Sequence, residues 1–151
     1  MKIFFTIPGS FKDANYRDLA QMYAERASRF ASLSCHELKL GKNDPAAEER
    51  ALELFLEKHP RAPFVILDER GKLFASREFS KKLSDLKVQG VSEIVIALGG
   101  AHGYSEALRK RALFLWSLSP MIMAHELAAV VALEQIYRAL SIEAGHPYHN
   151  E

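Results

Sequence analysis

The sequence alternates short apolar runs with segments in which apolar residues recur every three or four positions. The first pattern is typical of β-strands and the second of one face of a helix. Strands are predicted at 2–7, 36–40, 64–68, 93–98 and 112–119, and helices are predicted to begin at Asp13, Asp44, Ser76, Ser105 and His125. Strands that alternate with helices favour a mostly parallel sheet with helices on both faces. The sequence therefore predicts an α/β fold of about five strands.

Length and composition favour one globular domain. The chain has 151 residues, of which 48% are hydrophobic and 26% are charged. This is enough to bury a hydrophobic core, and it argues against disorder. No internal repeat or linker interrupts the pattern, so we predict a single domain over residues 1–151.

Several classes of protein are excluded by what the sequence lacks. The one cysteine, Cys35, excludes an intrachain disulfide and a CxxC-type zinc site, which fits a reducing cytosol. The N-terminal apolar stretch is too short for a signal peptide, and Glu126 and Glu134 bound the apolar run 127–133. We therefore expect a cytoplasmic protein with no membrane segment and no metal.

The charge balance gives no direct sign of nucleic-acid binding. Twenty Lys and Arg against nineteen Asp and Glu leave a formal net charge of +1. A local basic patch is nevertheless enough to contact phosphates. The cluster Arg109-Lys110-Arg111, beside a glycine-rich loop, is the best candidate for such a patch.

That loop follows the apolar run 94–98 and contains Gly99, Gly100 and Gly103. Glycines at such positions allow the close approach of a ligand or of another segment of the chain. In parallel sheets, ligands bind beyond the carboxyl ends of the strands. Leu67-Asp68, Gly99-Gly100 and Leu118-Ser119 all follow predicted strands, and the pattern leaves open whether their loops form one crevice or ordinary turns.

Common phosphate, metal and nucleophile motifs are absent. A dinucleotide fingerprint would need a glycine where Leu98 stands, and neither a P-loop nor a G-x-S-x-G elbow occurs. His125-Glu126 is followed by Leu127, Ala128 and Ala129, so the zinc-binding pattern H-E-x-x-H is not completed. One open interpretation is a doubly wound module that binds some other nucleotide.

Three stretches together point to a known family. They are ILDERGK at 66–72, ALGGAHGYSE at 97–106, and the C-terminal segment 117–149, which contains S-L-S, E-Q-I-Y-R-A and H-P-Y-H. In order and spacing, over essentially the whole chain, they resemble the SPOUT-class methyltransferases that methylate N3 of a pseudouridine in large-subunit ribosomal RNA (the RlmH family).

The resemblance implies a fold, a cofactor and an assembly. The fold is a five-stranded SPOUT domain with a C-terminal trefoil knot, and the cofactor is S-adenosylmethionine, which the glycines would admit. The resemblance also implies that such enzymes act as homodimers on the ribosomal RNA of the assembled ribosome, with the site at the subunit interface. The implied cofactor contacts are Leu67, Gly99, Leu118, Ser119, Pro120, Met121, Ile122 and Met123.

The implied reaction needs a group that deals with the N3 proton of an imide, either a base or a cation that stabilises the imidate. The candidates are His125, His146, His149, Tyr148 and Arg138. Because the family tail lies near the cofactor, His149 with Tyr148 is the preferred pair, and Arg138 is the third catalytic candidate. Arg138 could instead pair with Glu134 or contact RNA or the partner subunit.

The sequence also departs from the family. Ala124 stands where a proline is usual, and Asn150 stands where a basic residue is common. These departures motivate an alternative function, a non-catalytic RNA- or ribosome-binding protein that kept the SPOUT fold.

Overall fold

The computed structural model describes residues 1–42 and 44–150, and the secondary structure in this part of the chain alternates between strands and helices. The elements are β1 (Lys2–Pro8), α1 (Ala14–Ala27), β2 (Ser32–Leu38), α2 (Ala47–Glu57), β3 (Phe64–Leu73), α3 (Ser76–Val88), β4 (Glu93–Leu98), α4 (Glu106–Arg111), β5 (Phe114–Ser117) and α5 (His125–Glu143).

The five strands form one parallel sheet in the order β2-β1-β4-β3-β5. Alternate strand residues face two hydrophobic clusters, as the two-residue period of a strand requires. One cluster contains residues of α1, α3 and α5, and the other contains residues of α2 and α4. The predicted α/β fold, with helices on both faces, is confirmed.

Local signals in the sequence mark several helix ends correctly. The Asp13 carboxylate accepts a hydrogen bond from the Asn15 N–H at 2.8 Å, which caps α1. Ser105 caps α4 in the same way, by accepting from the Leu108 N–H. Gly90 and Gly145 follow α3 and α5 with φ of 86° and 67°, the left-handed conformation that favours glycine after a helix.

The predicted bounds of β2 and α2 are wrong by a few residues. β2 spans Ser32–Leu38 rather than 36–40, because its pairing with β1 begins at Ser32. α2 begins at Ala47, because the Asp44 side chain accepts from the Ala46 N–H and closes a turn before the helix. α3 does begin at Ser76, but Glu78 rather than Ser76 caps it, by accepting from the Ala75 N–H.

The strand predicted at 64–68 is longer in the structure, because ERGK at 69–72, a segment that in sequence favours a turn, belongs to β3. The pairing of β3 with β5 shifts register between Leu67 and Lys72, which marks a bulge, and it resumes beyond the bulge. Gly71 makes this possible, since a Cβ there would lie 2.5 Å from the carbonyl carbon of Leu115. The bulge places residues 68–70 at the carboxyl end of the sheet, where the candidate site lies.

Within the described residues, no helix combines the length and the apolar character that crossing a bilayer demands.

Candidate active site

A cavity of about 690 Å³ opens at the carboxyl ends of β3, β4 and β5. The loops after these three strands line it together, so they form one crevice rather than separate turns. Of the eight residues predicted to contact a cofactor, seven line the cavity: Leu67, Gly99, Leu118, Ser119, Met121, Ile122 and Met123. Pro120, although described, is not among the lining residues.

The glycines of the loop 99–103 are required mainly by neighbouring protein segments. A Cβ at Gly99 would lie 3.1 Å from the Leu67 carbonyl oxygen, and one at Gly100 would lie 1.9 Å from Glu48 Oε2. Gly103 has φ of 66°, which favours glycine. The missing Cβ atoms of Gly99 and Gly100 let the loop pack against β3 and α2 while it lines the cavity, and the expectation that the glycines admit a cofactor stays a prediction.

Two side chains fix the far end of this loop. The Glu49 carboxylate accepts from the Ser105 N–H at 2.6 Å and from the Ser105 hydroxyl at 2.7 Å. The Tyr104 hydroxyl donates to the Leu98 carbonyl oxygen at 2.8 Å. Burial, with the nearby charges of Glu48 and Glu49, raises the pKa of Tyr104. The hydroxyl therefore stays protonated and keeps donating at physiological pH.

Arg109 forms part of the cavity wall. Its Nε and Nη2 donate to the Tyr104 carbonyl oxygen at 2.9 and 2.8 Å, and its Nε lies 3.7 Å from Asp68 Oδ2. Only 16% of its side chain is exposed. Arg109 thus ties the glycine loop to the end of β3, and its predicted place in a basic RNA-binding surface is not supported. No signal in the sequence indicates this, because a run of three cations looks the same whether its members point inward or outward.

The other two residues of the cluster 109–111, Lys110 and Arg111, do not form a continuous basic surface either. Arg111 Nη1 lies 2.8 Å from Glu53 Oε1, so its charge is paired. Lys110 is exposed. The basic surface beside the loop is therefore smaller than the sequence predicted.

Asp68 and Arg70 form the charged rim of the cavity. Asp68 Oδ1 accepts from the Arg70 N–H at 2.9 Å and from Arg70 Nε at 3.1 Å, and Oδ2 accepts from Nη2 at 3.1 Å. Burial by itself would raise the pKa of Asp68, but the hydrogen bonds from Arg70 and the charges of Arg70 and Arg109 outweigh it and lower the pKa. Asp68 is therefore a carboxylate that holds the Arg70 guanidinium at the rim in a fixed orientation.

His125, the first residue of α5, lines the same cavity. Its Nε2 is buried and has no hydrogen-bond partner among residues 1–42 and 44–150. A buried polar atom without a partner is costly, so it marks a place where a ligand group could supply the missing hydrogen bond.

The three predicted catalytic residues lie together around the side chain of Glu134. From the sequence, Glu134 was expected only as a possible ion-pair partner of Arg138. Glu134 Oε1 accepts from Arg138 Nη2 at 2.6 Å and from the Tyr148 hydroxyl at 2.9 Å. Arg138 Nη1 lies 3.3 Å from His149 Nδ1. The Arg138 guanidinium also sits 4.7 Å from the centre of the Tyr148 ring, in cation–π geometry. The tail is thus docked on α5 and not frayed.

This group is separated from the cavity of its own chain. Arg138, Tyr148 and His149 are described but are not among the residues that line the cavity. Arg138 follows His125 by 13 residues within α5, a rise of about 20 Å along the helix axis. A single chain therefore holds the two predicted parts of the site apart.

Among residues 1–42 and 44–150, no group of three or more His, Cys, Asp or Glu side chains is arranged to hold a metal ion.

The sequence is similar to a family and to several relatives of known name. The family described as predicted SPOUT methyltransferase matches residues 1–149. The ribosomal RNA large subunit methyltransferase H of Deinococcus radiodurans is 33% identical over 149 residues, which cover 99% of each chain. The protein of the same name from Geobacter sp. is 38% identical over 146 residues, 95% of each chain. A third, from Thioalkalivibrio sulfidiphilus, is 40% identical over 138 residues, 85% of this chain and 88% of the relative.

Among solved structures, a candidate RNA methyltransferase from Bacillus anthracis is similar, with a TM-score of 0.52. The match covers 99% of this chain and 98% of that one, at 11% sequence identity. At that identity the likeness shows a shared fold and nothing further.

Proposed function

The chain belongs to the family of predicted SPOUT methyltransferases, and from this premise we propose that it transfers a methyl group from S-adenosylmethionine to N3 of a pseudouridine in large-subunit ribosomal RNA. One observation carries the proposal. Leu67, Gly99 and the loop 118–123, the positions predicted to contact the cofactor, come together at one cavity. The full-length relatives named ribosomal RNA large subunit methyltransferase H support the choice of substrate.

The residues of the cavity fit this cofactor chemically. A volume of about 690 Å³ is within the range of small-molecule sites. Apolar side chains of Leu67, Leu118 and Met123 suit an adenine ring. The methionyl part carries an ammonium and a carboxylate, and the rim offers Asp68 and Arg70 as charges of both signs. His125 Nε2 adds a buried polar atom that lacks a partner.

When bound, S-adenosylmethionine supplies an electrophilic methyl carbon on a sulfonium. The protein then has to hold the substrate nitrogen in line with that methyl group and to exclude water. Arg109 and Glu49 serve this purpose by holding Tyr104 and Ser105, at the far end of the loop that walls the cavity. The Asp68–Arg70 pair presents a fixed cation at the mouth, where an RNA phosphate can bind.

We propose that the active enzyme is a homodimer. Arg138 lies too far along α5 to reach its own cavity, and Tyr148 and His149 are docked beside it, whereas the tail of a second chain could complete the site. Next to the cavity, Met121 and Ile122 are 77% and 86% exposed. Apolar side chains so exposed are suited to burial by a partner subunit. Each site would then combine one chain's cavity with His149 of the partner subunit.

Three further parts of the proposal follow from family membership. The C-terminal part of the chain threads a loop as a trefoil knot, the enzyme works in the cytoplasm, and it recognises the assembled ribosome rather than free RNA. The formal net charge of +1 supports the last point, because a nearly neutral chain has little non-specific affinity for RNA.

A non-catalytic ribosome-binding protein is the second candidate. Ala124 favours this candidate. It precedes α5 at the position where the family usually has proline, and its side chain does not cap the helix. Loss of that proline loosens the entry into α5, next to the cavity.

The test is a calorimetric titration of S-adenosylmethionine into the purified protein, with ATP and NAD as controls. Saturable binding of the methyl donor alone, followed by methyl transfer to ribosomes that lack the modification, is expected. Saturable binding of the donor would rule out the ribosome-binding alternative, whereas absence of binding would favour it. No binding of the donor or of its demethylated product by the folded protein would overturn the proposal.

A further inference from the structure

The loop 9–13 connects β1 to α1 at the edge of the sheet where the cavity opens. β1 pairs in parallel with β4, and Thr6 stands opposite Ala97. The end of β1 is therefore level with Gly99, the residue that follows β4 and lines the cavity. Residues 9–13 do not line the cavity themselves. They lie beside its mouth, on the β1 side.

Glu126 ties this loop to the wall of the cavity. Its Oε1 accepts hydrogen bonds from the Lys12 N–H and, at 3.3 Å, from the Asp13 N–H. Glu126 belongs to the first turn of α5 and directly follows His125, which lines the cavity. One charged acceptor that binds two adjacent backbone N–H groups fixes the loop relative to α5.

The rest of the loop is also held in place. The Gly9 N–H donates to the Leu38 carbonyl oxygen at 2.9 Å, and Gly9 has φ of 74°, which lets the chain turn at the end of β1. The Phe11 side chain is in the hydrophobic core, and the Phe11 carbonyl oxygen accepts from Arg17 Nη2 at 2.6 Å. The Lys12 side chain therefore starts from a fixed point beside the cavity mouth.

The cations at this loop are available for a ligand. Lys12 and Arg17 are exposed, and among residues 1–42 and 44–150 no carboxylate forms an ion pair with either of them. The two carboxylates that contact the loop are engaged elsewhere. Asp13 caps α1, and Glu126 accepts from backbone N–H groups at the start of α5, where the helix dipole favours a negative charge.

The position of these cations fits an RNA substrate. A base that enters a closed cavity has to turn out of its stack, and the phosphates on either side of it stay at the mouth. Contacts to phosphates set the register and orientation of a nucleic acid on a protein. Arg70 stands at the rim on the β3 side, and Lys12 stands on the opposite side, since β4 separates β1 from β3.

We propose that Lys12 and Arg17 bind backbone phosphates of the ribosomal RNA next to the nucleotide that is methylated, and that Glu126 is the positioning residue that holds them at the cavity mouth. This inference rests on the proposed function and adds to it a surface that recognises the substrate. It also gives the RNA a basic contact in place of the cluster 109–111, two of whose three cations are paired within the protein.

The first test measures binding to ribosomes that lack the modification, by co-sedimentation at several salt concentrations. Lys12→Ala should weaken binding about 3- to 5-fold and lower the slope of log affinity against log salt by about 1, because one phosphate contact is lost. Lys12→Arg, which keeps the charge, should bind like the wild type.

Lys58→Ala is the matched control for this test. Lys58 is also exposed, but it follows α2 at the end that leads into β3, so it lies at the amino end of the sheet, away from the cavity. Its removal should leave ribosome affinity unchanged. Equal affinities of Lys12→Ala and the wild type, or an equal loss in Lys58→Ala, would overturn the inference.

The second test asks whether Glu126 acts through the two cations. Glu126→Ala should weaken ribosome binding as much as Lys12→Ala does, whereas Glu126→Gln keeps an acceptor oxygen for the two N–H groups and should retain most of the affinity. In a chain that already carries Lys12→Ala and Arg17→Ala, Glu126→Ala should cause no further loss, because residues that act as one unit are not additive. A fully additive loss would mean that Glu126 has a separate, general structural role.

Donor affinity and turnover separate this inference from the proposed function. Calorimetry of S-adenosylmethionine should give the same affinity for Lys12→Ala and the wild type, and methyl transfer should show a raised KM for ribosomes with kcat unchanged. An equal loss of donor affinity would assign the loop to the cofactor site, and a weaker dimer with normal ribosome binding would assign it to the subunit interface; either result would contradict the inference.

Failure of the proposed function has a different signature. If the wild type binds ribosomes but transfers no methyl group, the proposed function is wrong, and the ribosome affinities of the variants still decide the role of Lys12. If the wild type transfers methyl groups and Lys12→Ala matches it in affinity, KM and salt dependence, only the inference is wrong.

Discussion

Gly71 lies so close to Leu115 that a Cβ at residue 71 would be 2.5 Å from the Leu115 carbonyl carbon and 2.7 Å from the Trp116 nitrogen. Both are backbone atoms of β5, so neither can turn away. The contact joins the bulge of β3, which carries the rim residues Asp68 and Arg70, to the edge strand of the sheet. The shape of the cavity mouth therefore depends on a glycine outside the glycine loop.

We expect Gly71→Ala to lower the free energy of unfolding by about 1–3 kcal/mol, because β5 must move to accept the methyl group. Urea denaturation followed by circular dichroism measures this change. Gly41→Ala is the matched control, since the nearest atom to a Cβ there is 4.0 Å away. Equal stability of the two variants would refute the role assigned to the contact.

Tyr104 should make stability depend on alkaline pH. Its pKa is raised above the unfolded value of 10.0 by burial and then by the charges of Glu48 and Glu49. The stabilisation by its neutral hydroxyl is therefore complete below that pH and is lost as pH rises through the folded-state value.

Tyr104→Phe should cost about 1 kcal/mol at neutral pH, because the hydrogen bond to the Leu98 carbonyl is lost. The variant should also lose less stability than the wild type between about pH 9 and pH 11. Urea midpoints measured across this range, with Tyr16→Phe as the control, check both points. Parallel pH curves for wild type and Tyr104→Phe would contradict the assignment.

Arg109→Lys should weaken S-adenosylmethionine binding about 10-fold, since one ammonium cannot replace a forked pair of donors to the Tyr104 carbonyl. Calorimetry of the donor measures the effect. Lys110→Ala changes an exposed neighbour and should leave donor affinity as it is. If instead Lys110→Ala weakens donor binding and Arg109→Lys does not, Arg109 does not fix the loop.

Mixing two inactive variants tests the shared site of the proposed homodimer. Leu118→Trp fills the cavity, and His149→Ala removes a tail residue, so each variant alone should be inactive. A mixed dimer has one intact cavity opposite one intact tail, and random mixing should restore about a quarter of wild-type activity.

The recovered methyl transfer is measured on ribosomes after the two proteins are co-expressed. A chain that carries both substitutions, co-expressed with either single variant, is the control and should recover nothing. Failure of the two single variants to complement each other, with mixed dimers present, would show that each chain uses its own tail.

Much of the fold follows from local patterns. The apolar run 94–98 predicts β4, the spacing after Asp13 predicts α1, and Gly90 and Gly145 predict where α3 and α5 end. These signals succeed because strand burial and helix capping depend on residues close in sequence. The same local patterns are misleading for the segment 69–72. Its residues are typical of a turn, but the pairing of β3 with β5, more than forty residues later in the chain, keeps the segment in a strand.

The sequence by itself determined the α/β class, the family, and the loops that line the cavity, because each is written in contiguous motifs. Only the tertiary structure decided how the charged side chains are used. It turned Arg109 inward to the glycine loop, left Lys110 outside, and set Glu134 between Arg138 and Tyr148. A charged residue looks the same in sequence whether it binds a ligand, a solvent molecule or another side chain, and its role depends on which groups the fold brings within hydrogen-bond distance.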